Sequence, residues 1–256
     1  MIDQPIRILT QDAALGSRIS SLFNGFETTD KPVKGKRSFQ VTGEGDTPWR
    51  THWDSCQMST AHDPHLALTG LVAVINRAVL EQVDLLAIHA GVIRFGSRIV
   101  VFPADSGQGK TTLTGAMLSR GAEYLSDEAL VFRRDGTVVP YPKPLALSEW
   151  SCDALGLEPR GEETLATAGD FGAKVASSGP LTDVVITEIG SAKTTIDELP
   201  RSAAIGALLG YAFNHYKDPL HAFDLATKVA SASTVWSLRY QDPIDAATLM
   251  MEKISE

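Results

Sequence analysis

The chain is poor in the features that mark several large protein classes. It has two cysteines, Cys56 and Cys152, far apart, with no C-x-x-C pair and no histidine at metal-ligand spacing. That usage fits a reducing compartment, with a disulfide between the two left open. There is no basic excess. The net charge is −8 and the pI about 5.3, whereas a nucleic-acid binder carries a basic stripe, so no nucleic acid is expected. The one basic cluster, Lys31 to Arg37, is short and reads as a solvated loop. No apolar run approaches the length that spans a bilayer, so no membrane partner is expected. The start, Met1-Ile-Asp-Gln-Pro, has no basic region followed by an apolar core, so no signal peptide and a cytoplasmic location are expected. His52, His62 and His65 are irregularly spaced, and no carboxylate pattern joins them into a metal site. There is no internal repeat and no low-complexity tract.

What is present suits one large domain, or a main domain with a smaller companion: 256 residues, 43% hydrophobic and 21% charged. Residues 1–84 read as a small N-terminal α+β region. A strand is expected at Ile6–Leu9, a helix at Ala13–Phe23, a loop at Thr28–Gly35, and strands at Phe39–Val41 and Trp49–Trp53 separated by a turn at Gly43–Asp46. A long helix over Leu66–Val83 closes the region. It shows an apolar stripe of Leu68, Leu71, Val72, Ile75, Val79 and Val83, and Asp63-Pro64 forms its cap and first turn. From residue 85 onward, Leu85–Ile93 and Arg98–Phe102 form a hairpin through Gly96-Ser97. Ala129–Phe132 and Thr137–Tyr141 form another, through Arg133–Gly136. A short helix is expected within Leu145–Leu157, a mobile polar loop with four glycines at Glu158–Pro180, and strands at Asp183–Ile189 and Val235–Tyr240. Helices are expected at Arg201–Phe213, Pro219–Ala230 and Pro243–Ile254.

The chain is organised around Asp105-Ser106-Gly107-Gln108-Gly109-Lys110-Thr111-Thr112. This stretch follows the apolar run Ile99–Phe102 and opens a helical pattern, Thr111 to Arg120, that ends at Gly121. Strand, Gly-rich turn, Lys-Thr and helix is the layout of a phosphate-cradling loop. Asp105 stands where G-x-x-x-x-G-K-[ST] has its first glycine, so this is a variant of that Walker A pattern. The types fit the chemistry. Gly107 and Gly109 permit a tight backbone turn. The helix start offers unpaired N–H groups and a positive dipole end. Lys110 supplies a mobile charge for the outer phosphates, and Thr111 a hydroxyl for Mg²⁺. Phosphoryl transfer further calls for a divalent metal and a base for the acceptor hydroxyl. Asp127-Glu128, 17 residues beyond Lys110, is the candidate for both. The chain has no N-K-x-D guanine-reading motif and no L-S-G-G-Q, which argues against a GTPase and a transport ATPase.

Three runs together, Ile88-His89-Ala90-Gly91-Val92, Ser106-Gly-Gln-Gly-Lys110-Thr111 and Leu125-Ser-Asp127-Glu128, resemble the catalytic domain of HPr kinase/phosphorylase, and more closely the HPr-kinase-related proteins of bacterial modification gene clusters. His89 stands 21 residues before Lys110, matching the family spacing. The resemblance covers roughly residues 85–150. It implies an α/β fold with a P-loop core of the phosphoenolpyruvate-carboxykinase type, a mixed and largely antiparallel sheet, and a catalytic domain over residues 85–256. It implies that Lys110 contacts the β- and outer phosphates and that Thr111 binds the metal. Asp127 serves as base toward the acceptor, Glu128 is a second metal-associated carboxylate, and His89 lies near the transferred phosphate. The family's later signature segment, with its phosphate-acting arginine, is not found; Lys143 and Arg201 are the substitutes considered. The expected function is an ATP- and Mg²⁺-dependent kinase acting on a hydroxyl of a peptide, a protein or a small molecule. The family's hexamers imply a homo-oligomer. The alternative is a nucleotide-binding regulatory or accessory protein with little or no turnover. A decarboxylating relative of the carboxykinases is the third reading; the chain shows no second set of metal ligands for it.

Overall fold

The computed structural model describes residues 5–28, 37–43 and 47–255. The expected N-terminal segment, the loop at 28–35 with its basic cluster, and the turn at 43–46 lie wholly or largely outside the described residues.

The N-terminal region forms a four-stranded sheet in the order β1 (Ile6–Thr10), β2 (Arg37–Thr42), β3 (Trp49–Trp53), β4 (Cys56–Ala61). The β1–β2 pair is parallel and the other two are antiparallel. Helix α1 (Ala13–Leu22) starts at Asp12, whose carboxylate accepts from the Leu15 N–H. Helix α2 (Pro64–Leu80) starts at Asp63, which accepts from the His65 and Leu66 N–H groups, with proline in the first turn. The α2 stripe is buried with Leu15, Phe39 and Val41. The same cluster includes Ala87, Ala129, Val131, Tyr141 and Leu165, so the N-terminal sheet shares its core with the rest of the chain. Cys56 is exposed, Cys152 is buried, and both are free.

The main sheet has nine strands and is built on a hairpin, β5 (Ala87–Phe95) and β6 (Arg98–Pro103). Gly96, at a φ of 58°, supplies the left-handed turn residue. The remaining elements follow in chain order: α3 (Lys110–Leu118), β7 (Glu123–Ser126), β8 (Ala129–Phe132), β9 (Thr137–Val139), β10 (Leu145–Ser148), α4 (Glu149–Leu155), β11 (Glu163–Ala166), β12 (Gly179–Pro180), β13 (Asp183–Ile189), β14 (Thr195–Leu199), α5 (Ser202–Gly210), α6 (Pro219–Ala232), β15 (Thr234–Tyr240) and α7 (Pro243–Ser255). The sheet order is β12-β9-β8-β5-β6-β13-β15-β14, with β7 also on β5. The pairs β6–β13 and β13–β15 are parallel and the others antiparallel. The expected mixed, largely antiparallel α/β sheet is what forms.

Period-two alternation places helices on both faces. Val100 and Phe102 of β6 join Leu113 and Met117 of α3 and Met250 of α7 on one face. Ile99 and Val101 join Leu208 of α5 and Leu225 of α6 on the other. A half-buried ion pair ties three strands together. Asp183 of β13, fully buried, accepts from Arg98 Nε (2.8 Å) and Nη2 (2.6 Å), from Trp236 Nε1 of β15 (2.9 Å), and from the Thr182 hydroxyl (2.7 Å). The carboxylate hydrogen bond raises the Arg98 pKa further.

One expectation is corrected. Glu158–Pro180 is not one irregular loop. It contains β11, paired antiparallel with β10, a 3₁₀ turn at Ala168–Phe171, and β12 on the sheet edge. Leu165, Ala166, Ala168 and Ala176 are buried, and burial of these small apolar side chains holds the segment despite its glycines. Strands β4, β10 and β14 are further elements that the sequence pattern did not announce. No helix among the described residues is long and apolar enough to cross a membrane.

Candidate active site

The loop after β6 turns on two left-handed glycines, Gly107 (φ 79°) and Gly109 (φ 64°). Gly109 is also closely packed: a Cβ there would lie 2.6 Å from Ile189 Cδ1. It is the N-cap of α3, and no side chain caps that helix. The first-turn N–H groups of α3 therefore keep their capacity for an anionic partner. Lys110, at the first helical position, is buried. Its Nζ donates to the backbone carbonyl of Asp105 at 2.6 Å.

The acidic pair is placed by the edge of β5. That edge pairs with β8 through Ala87–His89 and with β7 through Val92–Arg94, shifting register between Val92 and Ile93. Asp127 and Glu128 fill the break between the two partner strands, opposite Ala90 and Gly91. The Ala90 N–H donates to the Glu128 carbonyl at 3.3 Å. Gly91 makes this approach feasible. A Cβ at Gly91 would meet Thr114 Oγ1 at 2.6 Å and Asp127 Oδ1 at 3.8 Å. His89 ends the β8-paired part of β5, its N–H held by the Tyr211 carbonyl at 2.8 Å and its ring against Phe213.

These residues converge on one cavity of about 600 Å³. The cavity is lined by Ser106, Gly107, Gly109, Lys110, Thr111 and Thr112 from the loop and α3, and by His89, Asp127 and Glu128 from the sheet. Asp105 and Gln108 are exposed and do not line it; Asp105 contributes through its carbonyl. Of the two cations considered as substitutes for an arginine, Lys143 lines the cavity and Arg201 does not. Arg201 instead donates to the Ser231 carbonyl at 2.8 Å. Lys143 sits in the proline-rich turn, its own carbonyl gripped by the Tyr124 hydroxyl at 2.6 Å. Its Nζ lies 3.3 Å from Glu128 Oε2. Glu128 Oε1 lies 3.9 Å from His89 Nε2. Sequence reasoning missed the far wall of the cavity, Ser148, Trp150, Ser151 and Ile189. Only the lone tryptophan in an otherwise polar helix start could have drawn notice.

The electrostatics separate the carboxylates. Asp127 is 5% exposed, and Oδ1 makes no hydrogen bond among the described residues. Burial pushes its pKa up to about 6; Glu128 adds to the rise, while Lys143, the Thr111 hydroxyl and Lys110 oppose it. Burial lowers the Lys110 pKa, opposed by Asp127, Glu128 and Asp105. The His89 pKa is lowered by burial and by Lys110, against the pull of Glu128, so its ring is neutral near pH 7. Among the described residues, no cluster of three or more His, Cys, Asp or Glu could hold a metal alone. The donors here are of another kind. Mg²⁺ is commonly held by one or two carboxylates together with waters and substrate phosphates. The Thr111 hydroxyl, Glu128 and the unpartnered Asp127 Oδ1 fit such a shared site.

The chain matches no protein-family model, and no curated protein matches it in sequence. Among solved structures it is similar to the Hpr(Ser) kinase/phosphatase from Coxiella burnetii, at 9% sequence identity and a TM-score of 0.35. The match covers 66% of this chain and 96% of that one. A likeness at that level says nothing about the activity of this chain.

Proposed function

We propose that the chain is an ATP- and Mg²⁺-dependent kinase of the HPr-kinase-like type, with a P-loop core in a catalytic unit over residues 85–256. It transfers the γ-phosphate to the hydroxyl of a peptide or protein serine, or of a small-molecule alcohol. The observation that carries this reading is the position of Asp127. A buried carboxylate with a pKa of about 6 and an unpartnered oxygen shares one cavity with Lys110 of the Gly-rich loop. A group titrating near 6 is ionised at neutral pH and basic enough to take a proton during transfer.

In this reading the Gly107–Thr112 backbone and Lys110 hold the triphosphate. Bound Mg²⁺, held by Thr111 and Glu128 with Asp127 nearby, would neutralise charge on the phosphates. The acceptor O–H gives its proton to Asp127 as its oxygen bonds the γ-phosphorus. The bond from that phosphorus to the β–γ bridging oxygen breaks, and its electron pair leaves with ADP. In the same reading Lys143 and neutral His89, which line the cavity, contact the transferred group, and the Lys143 charge favours the ionised form of Asp127. A base of this strength suits an acceptor that must lose its proton during transfer, as a hydroxyl does.

The test is incubation of wild type and Asp127→Asn with Mg·ATP and a library of serine peptides and simple alcohols, followed by mass spectrometry. Wild type is expected to add one phosphoryl group to a subset. Asp127→Asn should lose roughly 10²–10⁴-fold in rate while still binding nucleotide, the scale of a general base. Lys110-dependent nucleotide binding with no transfer to any acceptor would instead mark a regulatory or accessory protein. Transfer by Asp127→Asn at the native rate would remove the assigned role.

A further inference from the structure

The cleft does not stop at the phosphate loop. A second cavity of about 470 Å³ adjoins it, and Trp150 lines both. The two are continuous in structure as well. The end of β13 contributes Ile189 to the first cavity, and the turn after it contributes Ser191 and Thr194 to the second. Helix α4 contributes Ser151 to the first and Ala154 to the second. The Thr112 hydroxyl in the first turn of α3 is hydrogen-bonded to the Ser151 hydroxyl at 2.8 Å, joining the loop helix to the helix that carries Trp150.

Trp150 is 60% exposed, and it is the only exposed tryptophan of the four. Trp150 is a large aromatic side chain left mostly open where the two cavities meet. The second cavity holds none of His89, Lys110, Asp127, Glu128 or Lys143, so its occupant is neither the transferred phosphate nor the reacting hydroxyl. Its lining mixes Gln241, Thr194, Asp242 and Asp245 with Ile244, Ala154 and the indole of Trp150. A flat aromatic ligand with hydrogen-bonding edges matches that chemistry. From Lys110 the first turn of α3 runs to Thr112, whose hydrogen bond to Ser151 leads to the neighbouring Trp150.

We infer that Trp150 and the cavity beyond it form a nucleobase subsite, in which the purine of the phosphate donor stacks on the indole and its edge meets Gln241. This inference rests on the kinase reading above, because it takes the loop to hold the triphosphate of the same ligand. Base–aromatic stacking is sequence-tolerant, so the indole contributes affinity and the edge contacts contribute choice between bases.

The test compares ATP, GTP and inorganic tripolyphosphate, each with Mg²⁺, by calorimetry on wild type, Trp150→Ala, Trp150→Phe and Lys110→Ala. Trp150→Ala is expected to weaken ATP roughly ten-fold or more, the scale of one lost base stack, and to leave tripolyphosphate unchanged. Trp150→Phe should retain most of the ATP affinity. ATP, and not tripolyphosphate, should quench the exposed indole fluorescence. Unchanged tripolyphosphate binding also reports that the variant is folded. If Trp150→Ala binds ATP as wild type does while Lys110→Ala does not, the base subsite is wrong and the nucleotide site stands. Equal weakening of ATP and tripolyphosphate also overturns the subsite. If wild type binds neither ligand in a Lys110-dependent way, both proposals fall. A gap between ATP and GTP that closes in Gln241→Leu assigns the edge contact; a gap unaffected by that substitution removes Gln241 from it.

Discussion

Replacing Asp127 by asparagine should stabilise the folded chain at neutral pH relative to acid pH, even as it slows transfer. The carboxyl has an ordinary pKa of 3.8 and is pushed up to about 6 by burial in the fold. Between those values the folded state binds a proton that the unfolded state has released. Folding stability therefore falls as pH rises through that window, and the loss is complete above it. A gap of about 2 pH units at ~1.4 kcal/mol each gives about 3 kcal/mol. Asparagine does not titrate, so it carries none of this loss. Carboxyl groups remote from the site titrate alike in both proteins and cancel in the comparison. Urea unfolding of wild type and Asp127→Asn at pH 4, 5, 6 and 7 measures the difference. The variant should gain about 2–3 kcal/mol relative to wild type from pH 4 to pH 7, whatever its absolute offset, or about 5–10 °C in Tm for a chain of this size. A difference that stays constant across the range would show that Asp127 titrates normally. The case for it as a poised base would then fail.

Lys143→Met removes the strongest charge holding Asp127 ionised, so the acidic limb of the transfer pH profile should move upward from about 6; a limb that stays or moves down refutes the coupling. Gly91→Ala should fold but lose activity, because the new methyl collides with Thr114 Oγ1 and crowds Asp127, and adding Thr114→Ala should restore part of it. Rate assays on the single and double variants measure the rescue, and additive losses would contradict it. Asp183→Ala leaves the partly exposed Arg98 and the buried Trp236 N–H without their acceptor and should cost about 2–3 kcal/mol in denaturant unfolding; a cost under about 1 kcal/mol would contradict the clamp.

The parts legible in the sequence are those written in contiguous residues. The hairpin before the loop is announced by Gly96-Ser97 between apolar runs, and α2 by Asp63-Pro64 and its stripe. The loop and the acidic pair are each a few adjacent residues, so their approach within one cavity could be anticipated from spacing. The rest depends on tertiary placement. Lys143 enters the site because Tyr124, nineteen residues earlier, grips its carbonyl. Trp150 becomes a wall only because Ser151 ties α4 to α3. Gly91 reads as an ordinary strand glycine until the fold brings Thr114 and Asp127 against it. The Glu158–Pro180 stretch misleads for the opposite reason. Its glycines suggest mobility, while the buried side chains of Leu165, Ala166, Ala168 and Ala176 hold it in place. Strands β4 and β14 escape notice because both carry polar residues on exposed positions and lack clean alternation.

The most direct test of the central claim follows the γ-phosphate itself. Wild type, Lys110→Ala and Asp127→Asn would be incubated with Mg²⁺ and γ-labelled ATP over an array of serine peptides and alcohols, with bound nucleotide quantified in parallel. The account predicts label on acceptors with wild type, no binding and no label with Lys110→Ala, and binding without label with Asp127→Asn. Label transferred equally by all three proteins, or ATP binding that ignores Lys110, would contradict it.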